Sequence, residues 1–286
     1  MHTTLISAAD LKQLLNAATP VQVYDCSADL MNPATGRAQY EAEHIPGACF
    51  VGLDEHLSDK TSRASGGRHP LPSRERFATW LGRTGLTSSH TQVVVYDRQN
   101  ANYCGRLWWM LKWCGHDNVA VLDGGWAAWQ SLGASVENGA GPTLAAEAPA
   151  YPLSTARATM VDTTTIAQRL GNPGLTLIDA RAAARFRGEV EPLDPVAGHI
   201  PGALNRPFTE NIGPDGRFKP AAQLRAEFEQ LLAGRDLASV VHHCGSGVSA
   251  IPNLLAMEVA GLGRTALYPG SWSEWCNTPG VPCAVG

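Results

Sequence analysis

The chain carries its main motifs twice, and this duplication constrains the fold more than any other feature of its 286 residues. In each half an apolar run ends in aspartate and is followed, after nearly the same spacing, by His-Ile-Pro-Gly-Ala. The first copy runs from Asp25 to His44 and the second from Asp179 to His199. A period of about 150 residues is too long for a solenoid repeat and is typical of two copies of one domain.

The repeat also sets the domain boundaries. We predict an N-terminal domain over 1–135, a linker over 136–158 and a C-terminal domain over 159–286. The linker is rich in Ala, Gly and Pro and shows no sustained period, as expected of a segment that runs along a surface. Gly-Gly-Trp at 124–126 corresponds to Gly-Ser-Trp at 270–272, so the two copies match through to their ends.

Each half alternates strand-like and helix-like segments, which the apolar pattern and the capping residues locate. The predicted strands are Val21–Tyr24, Gln92–Tyr96, Val119–Leu122, Leu175–Ile178, Ser239–His243 and Thr265–Tyr268. The predicted helices are Ala8–Ala17, Arg74–Gly82, Gly105–Trp113, Thr163–Leu170, Ala221–Leu232 and Asn253–Ala260, with Ser7, Ser73 and Asp162 as N-caps. This alternation predicts an α/β fold in which each domain has a mostly parallel sheet covered by helices on both faces. Active groups then lie at the carboxyl ends of the strands.

One cysteine lies at such a strand end, in the segment that continues as Cys244-Gly-Ser-Gly-Val-Ser. A thiol between a buried strand and a helix lies among loop N–H groups, which favour thiolate over thiol and so make Cys244 a candidate nucleophile. Gly245 and Gly247 allow a tight turn around the sulfur. The side chains that line the loop are Ser246, Val248 and Ser249.

The first copy has Asp97 where the second has the cysteine. A carboxylate cannot replace a thiolate as the nucleophile, so we expect the first domain to be catalytically inactive. The histidines of the paired His-Ile-Pro-Gly-Ala segments, His44 and His199, occur in both copies. They are therefore better explained as turn and packing residues than as catalytic bases.

Together these motifs resemble the tandem-domain rhodanese family of sulfurtransferases. The resemblance rests on the duplication, the His-Ile-Pro-Gly-Ala segments, the Gly-Ser-Trp-Ser-Glu-Trp stretch at 270–275 and a cysteine loop in the second copy alone. Within the family, the Cys-Gly-Ser-Gly-Val loop is similar to that of the 3-mercaptopyruvate sulfurtransferases. Thiosulfate sulfurtransferases typically carry two basic residues directly after the cysteine, where this chain has Gly245 and Ser246.

The resemblance also implies roles for residues outside the loop. Arg185 matches the arginine with which the family binds the sulfur donor, and Arg187 is the nearby competitor for this role. A second family arginine falls at Leu193, which departs from the pattern. The positions that match a proton-moving array are Ser246, His69 and Asp54, and the last two come from the first copy. This places the expected active site between the halves.

The implied reaction is a double displacement without a cofactor. The Cys244 thiolate takes sulfur from a small donor, 3-mercaptopyruvate, and the persulfide passes it to a thiol such as thioredoxin or glutathione, or to cyanide. A thiosulfate:cyanide sulfurtransferase is the nearest alternative. A cysteine phosphatase would need an arginine closing the loop, where Ser249, Ala250 and Ile251 stand instead. A non-catalytic sulfur carrier or regulatory module is a third possibility.

Composition is consistent with a soluble enzyme: 44% of the residues are hydrophobic, 17% are charged, and the formal net charge is −4, which does not favour nucleic acid as a partner. No apolar run approaches the roughly 20 residues of a membrane span, and the first residues lack a signal-peptide pattern, so we expect no membrane partner and a cytoplasmic location. The seven cysteines include no Cys-x-x-Cys pair. We therefore expect neither a metal site nor a disulfide framework.

Overall fold

The structure is a computed structural model that describes residues 1–17 and 19–286, and these residues divide into two compact units. The first unit comprises Met1–Ser62, Pro72–Arg157 and Pro214–Arg217. The second unit comprises Arg63–Leu71, Ala158–Gly213 and Phe218–Gly286. The units thus differ from the two sequence copies in two segments: 63–71 of the first copy belongs to the second unit, and 214–217 of the second copy belongs to the first unit.

The described residues of the first unit form one parallel sheet with helices between its strands. The strands are β1 (Leu5–Ile6), β2 (Val21–Asp25), β3 (Cys49–Phe50), β4 (Gln92–Tyr96) and β5 (Val119–Leu122). The helices are α1 (Ala8–Asn16), α2 (Ala34–Ala42), α3 (Arg74–Arg83), α4 (Cys104–Trp113) and α5 (Gly125–Ser131). The strand order across the sheet is β1-β5-β4-β2-β3, and every neighbouring pair is parallel.

The second unit, every residue of which is described, repeats the same order of strands and α-helices and adds two short 3-10 helices. Its strands are β6 (Thr159–Met160), β7 (Thr176–Asp179), β8 (Leu204–Asn205), β9 (Val240–His243) and β10 (Ala266–Leu267). Its helices are α6 (Thr163–Arg169), α7 (Ala183–Phe186), α8 (Ala221–Leu232), α9 (Ile251–Val259) and α10 (Ser271–Trp275). The order β6-β10-β9-β7-β8 is again fully parallel, which confirms the predicted α/β class.

Local sequence explains where several helices begin. The side chains of Ser7, Ser73 and Asp162 each accept a hydrogen bond from a backbone N–H in the first turn, as the capping pattern predicts. The central strands β4 and β9 are buried along their whole length, as the all-apolar run Val93–Val95 predicts for a parallel sheet with covered faces.

Some predicted boundaries are wrong by one or two residues. Helix α9 begins at Ile251 rather than Asn253, because Pro252 can occupy the first helical turn, where its missing N–H costs nothing. Strand β9 begins at Val240, since Ser239 belongs to a short 3-10 turn in which its hydroxyl donates to the Asp236 carbonyl at 2.6 Å. None of the helices in the described part of the chain is long and apolar enough to span a bilayer.

Candidate active site

Cys244 follows directly on β9, the strand that pairs with β10 on one side and β7 on the other. Its backbone is held by the start of α10. The Cys244 N–H donates to Ser271 Oγ at 3.1 Å, and the Cys244 carbonyl accepts from the Trp272 N–H at 2.9 Å. Only 2% of the cysteine is exposed, so a reagent must enter the loop to reach the sulfur.

The loop after the cysteine requires glycine at 247. Gly247 has φ +73°, and a Cβ there would lie 2.2 Å from the Pro269 carbonyl oxygen. The side chains of Ser246 and Val248 are buried beside it. Within the described structure, the N–H groups of Ser246, Val248 and Ser249 donate to no carbonyl, so they are available to a charged sulfur.

The corresponding loop of the first unit holds a carboxylate in the position of the thiol. Asp97 follows β4, and its two carboxylate oxygens accept from the N–H groups of Gln99, Ala101, Tyr103 and Cys104 at 2.8–3.0 Å. Burial raises the pKa of Asp97, and these N–H bonds offset that effect in part. A loop of this shape therefore collects backbone N–H groups around a negative charge on its first residue.

His69 and Ser246 are in contact, as the predicted array requires. His69 Nδ1 and Ser246 Oγ are 2.8 Å apart, and both residues are buried in the second unit. The segment 63–71 that carries His69 is held by the Arg68 N–H, which donates to Ser273 Oγ at 2.9 Å. Asp54 belongs to the first unit, and its role in the array stays a prediction.

Two guanidinium groups reach the loop at Gly245. A Cβ on this glycine would lie 3.2 Å from Arg68 Nη2 and 3.5 Å from Arg185 Nη1. Arg187, by contrast, is about half exposed and pairs with Glu189 at 2.6 Å. Of the two arginines weighed in the sequence, Arg185 is therefore the one that lies against the nucleophile loop.

Two carboxylates hold these arginines. Glu191 accepts from Arg185 at 2.6 Å, whereas Asp194 accepts from Arg68 at 2.5 Å and from Arg185 at 3.4 Å. Burial disfavours the Glu191 carboxylate, but hydrogen bonds from Arg185 and the Leu193 N–H outweigh it and lower its pKa. For Asp194 the effect of burial wins over that of Arg68, so its pKa is raised.

Sequence reasoning missed Arg68, Glu191 and Asp194 as site residues. The signals were present but weak: Arg68 directly precedes the predicted His69, and the two acids flank the position of the absent family arginine. Residues Arg68 and Asp194 also line a cleft of about 720 Å³ together with Arg63, Gly66, Ser273 and Glu274. One of its lining residues, Ser273, donates its N–H to the Gly245 carbonyl at 2.9 Å.

A second charged layer lies behind the cysteine. The Arg181 guanidinium pairs with Asp179 at 2.7 Å and stacks over the Trp272 ring at 4.9 Å. Burial opposes the charge of Arg181, but the Asp179 and Glu191 carboxylates and Cys244 raise its pKa. Burial lowers the pKa of His243, and the Asp179 carboxylate, 4.0 Å away, offsets that effect in part.

The described residues contain no cluster of three or more His, Cys, Asp or Glu side chains that could hold a metal ion. The seven cysteines are free thiols, and those other than Cys276 and Cys283 are buried. The chemistry available at this site is thus that of one thiol, the loop N–H groups, a Ser–His pair and two arginines held by acids.

A duplicated parallel α/β domain with a cysteine loop in the second copy defines a class of sulfur-handling proteins, and comparison with known families agrees. The pattern of the rhodanese-like domain matches residues 7–132 and again 162–278. The chain belongs to the rhodanese family.

Individual relatives agree over nearly the whole chain. A Pseudomonas aeruginosa protein provisionally named 3-mercaptopyruvate sulfurtransferase is 45% identical over 265 residues, which cover 92% of each chain. A Mycobacterium tuberculosis protein provisionally named thiosulfate sulfurtransferase SseB is 42% identical and covers 99% of this chain and 97% of its own. The crystal structure of SseA from Escherichia coli, titled a 3-mercaptopyruvate sulfotransferase, superposes with a TM-score of 0.77 at 32% identity, covering 96% of this chain and 100% of that one.

These comparisons confirm the predicted family and fold, and they show that the chain is an enzyme of the sulfurtransferase class. The names of the relatives are divided between two sulfur donors. The choice of donor must therefore come from the site.

Proposed function

We propose that this enzyme takes sulfur from 3-mercaptopyruvate, carries it as a persulfide on Cys244 and delivers it to a thiol or to cyanide. The observation that supports this choice of donor is the Arg185 guanidinium against Gly245, beside a loop that has no charge of its own. A guanidinium nitrogen that faces the loop can donate a charge-assisted hydrogen bond to the carboxylate of mercaptopyruvate. Thiosulfate, a dianion whose charge lies close to the transferred sulfur, would gain more from cations at positions 245 and 246.

The first half-reaction breaks a carbon–sulfur bond. The Cys244 thiolate attacks the donor's sulfur, an S–S bond forms, and the C–S electron pair leaves with the three-carbon fragment as the enolate of pyruvate. One proton must then reach the terminal carbon to give pyruvate. The loop N–H groups stabilise the thiolate before attack and the persulfide after it.

The proposed source of that proton is the pair Ser246 and His69. The Ser246 hydroxyl lies on the nucleophile loop, and His69 in contact with it can replace the proton that the serine gives up. The proposed role of Asp54 is to orient His69 as the third member of the array. Gly247, Val248 and Ser249 complete the wall of the donor site.

The second half-reaction returns the cysteine to its starting state. The acceptor thiolate attacks the outer sulfur, its new S–S bond replaces the one to Cys244, and the Cys244 thiolate leaves. We propose a cellular dithiol or thiol, thioredoxin or glutathione, as acceptor. Because the cycle needs Cys244 as a reduced thiol, we place the enzyme in the cytoplasm, where thiols are kept reduced.

Two measurements test the proposal. Initial rates with 3-mercaptopyruvate and with thiosulfate, each with cyanide as acceptor, give kcat/KM for the two donors, and we expect the higher value for 3-mercaptopyruvate. Peptide mass analysis after mixing with donor alone should locate one added sulfur on Cys244 and release one equivalent of pyruvate. Cys244→Ser should abolish both. A strong preference for thiosulfate would overturn the choice of donor, and a labelled second cysteine would overturn the assigned nucleophile.

A further inference from the structure

A second arginine, Arg68, lies beside the cysteine loop, and the family resemblance assigns it no role. The resemblance places the family's second donor-binding arginine at position 193, but this chain has Leu193, which is 41% exposed. An aliphatic side chain cannot hold a carboxylate. Arg68, from the segment 63–71 of the second unit, brings a guanidinium to the loop instead.

The two guanidinium groups are oriented in the same way. Arg68 Nη1 donates to Asp194 Oδ1, whereas Arg68 Nη2 lies 3.2 Å from the Cβ position of Gly245. Arg185 Nε and Nη2 donate to Glu191, whereas Nη1 lies 3.5 Å from the same point. Each arginine therefore turns one edge to an acid and one terminal nitrogen to the loop.

These loop-facing nitrogens are available to a ligand. Neither Arg68 Nη2 nor Arg185 Nη1 donates a hydrogen bond within the described residues, whereas the opposite edges of both groups are paired. The side chain of Arg68 is 28% exposed and that of Arg185 20%, so both are partly desolvated. Charge-assisted hydrogen bonds are strong in such surroundings.

We propose that Arg68 binds the donor's carboxylate jointly with Arg185, one guanidinium on each carboxylate oxygen, and so replaces the arginine missing at position 193. This inference rests on 3-mercaptopyruvate as the donor. It makes Arg68 a specificity-determining residue: it selects donors that carry a carboxylate beyond the sulfur. Asp194 is a positioning residue, because it accepts from both arginines and fixes the distance between them.

Glycine at 245 follows from the same arrangement. Both guanidinium nitrogens lie within 3.5 Å of the point where a side chain would begin, so any residue larger than glycine would occupy the carboxylate's place. An arginine there would add a third cation against two others. Glycine at 245 thus leaves the space for the donor's carboxylate, and Arg68 and Arg185 supply the positive charge that binds it.

The test uses the donor acid and its uncharged amide, 3-mercapto-2-oxopropanamide. In the wild type, kcat/KM should favour the acid over the amide. Arg68→Gln should lower kcat/KM for the acid by roughly 10- to 100-fold, mainly through KM, because a hydrogen bond to a charged group is lost. The value for the amide should stay nearly unchanged, so the acid-to-amide ratio falls.

Matched variants make the result specific. Arg185→Gln should act in the same direction, Arg68→Lys should retain part of the preference for the acid, and Arg187→Gln should change neither donor. Inhibition by pyruvate, which carries the same carboxylate, should weaken in parallel in Arg68→Gln. Thermal unfolding of each variant checks that the fold is intact.

The outcomes separate the two proposals. A wild type that releases no pyruvate from the acid would overturn the proposed function. A wild type that does, together with an Arg68→Gln variant whose acid-to-amide ratio is unchanged, would overturn only the role of Arg68. Equal losses for acid and amide in Arg68→Gln would also overturn that role and assign Arg68 to the shape of the loop.

Discussion

At the scale of single residues, the most telling comparison is between Asp97 and Cys244. Both follow the central strand of their sheet, yet one is a carboxylate bound by backbone N–H groups and the other a thiol in the matching loop. The Asp97 contacts indicate which N–H groups surround a negative charge in this loop. By correspondence, we expect the persulfide on Cys244 to be held by the N–H groups of Ser246 and Val248.

The contact between His69 and Ser246 gives the first prediction. Sulfur transfer from 3-mercaptopyruvate must protonate a carbon, whereas thiosulfate releases sulfite and needs no such proton. His69→Gln should therefore lower kcat with 3-mercaptopyruvate by about 100-fold, within the usual range for a lost general acid. The rate with thiosulfate should change little. Stopped-flow release of pyruvate and of sulfite by the same variant measures both.

Ser246→Ala is the companion variant and should follow the same pattern. Equal losses with both donors would contradict a role in proton transfer, because they would place His69 in the architecture of the loop. The pH profile adds a further check. In the wild type kcat with 3-mercaptopyruvate should depend on an ionisation that disappears in His69→Gln.

At the scale of elements, the turn between β10 and α10 has a strained backbone at Ser271, the residue that contacts Cys244. Ser271 has φ +56°, in the left-handed region, and is fully buried. Its hydroxyl accepts from the Cys244 N–H and donates to the Tyr268 carbonyl at 2.9 Å. The first unit has Gly125 at the matching place with φ +53°, so at this turn the second copy carries a side chain in the costly conformation and the first does not.

The second prediction follows from that strain. Ser271→Ala removes the hydroxyl but keeps the strained backbone, and it should lower the free energy of unfolding by roughly 1–3 kcal/mol, as for a buried N–H left unpaired. Ser271→Gly loses the same hydrogen bond but relieves the strain, so it should be the less destabilising of the two. Urea unfolding at neutral pH measures the order. If Ser271→Ala is instead more stable than Ser271→Gly, the left-handed conformation at position 271 costs little free energy.

A carboxylate on α8 gives a pH-dependent prediction. Glu227 pairs with Arg206, next to β8, at 2.7 Å and with Lys219 at 2.9 Å. Partial burial opposes its charge, but the hydrogen bonds from Arg206, Lys219 and Gln223 outweigh burial and lower the pKa of Glu227 to about 2. Since the folded pKa lies below the unfolded one, this carboxylate stabilises the fold above pH 4.5, and the contribution is lost as pH falls towards 2.

Glu227→Gln should therefore be less stable than the wild type at pH 7, by roughly 1–3 kcal/mol for hydrogen bonds to a charged group. The difference between the two proteins should shrink steadily below pH 4.5. Urea unfolding at pH 7, 5 and 3.5 follows it. Glu229→Gln on the same helix is the control: its partner Arg225 is half exposed, so little change is expected at any pH. A difference that stays constant with pH would contradict the assignment.

The long elements were predictable from sequence and the short ones were not. Strand β4 and helix α8 have the predicted bounds because burial and periodicity extend over enough residues to be read. Strands of two residues, such as β1 and β6, contain no period, and they exist only because a neighbouring strand supplies their hydrogen-bond partners. Helix α7 is similarly short, at four residues.

At the scale of the whole molecule, the two units share one plan but distribute their charges differently. Arg181 follows β7, pairs with Asp179 and stacks over Trp272. In the first unit the arginine comes from the loop after β4 instead: Arg98 pairs with Asp25 at 2.9 Å. It stacks over the Trp126 ring at 4.7 Å, as Arg181 does over Trp272. Both units therefore have an arginine that pairs with the strand-end aspartate and stacks on a tryptophan, but it follows β4 in one unit and β7 in the other. An alignment of the two copies does not show this equivalence.

The site residues that the sequence could predict are those whose signals are local. Cys244, Gly245 and Gly247 lie between a strand and a helix that are adjacent in sequence, so a short stretch of the chain is enough to predict them. Arg68 reaches Gly245 only because the segment 63–71 packs with the second unit, and this placement depends on contacts far apart in sequence. The duplication gave the fold class correctly but assigned that segment to the other copy.

The first unit, with Asp97 in place of the cysteine, is expected to be inactive. Its loop already collects N–H groups around Asp97, so a thiol there would have the same electrostatic support as Cys244. What it lacks is a cation at the position of Arg185: the residue at the same distance from the strand-end aspartate is Arg185 in one copy and the exposed Met31 in the other. Arg98, directly after Asp97, donates instead to Asp25 and to the Glu43 carbonyl. The double variant Asp97→Cys with Cys244→Ser should therefore release no pyruvate from 3-mercaptopyruvate.

Intact-mass analysis of that double variant should show no added sulfur, as in the Cys244→Ser control. Adding Met31→Arg to the double variant tests whether the missing cation is the cause of its inactivity. If a cation at the position of Arg185 is what the first unit lacks, the triple variant should gain measurable persulfide on the cysteine introduced at position 97. Persulfide formation already in the double variant would show that the loop alone suffices to bind the donor. The arginines of the second unit would then increase the rate of sulfur transfer and would not be needed for donor binding.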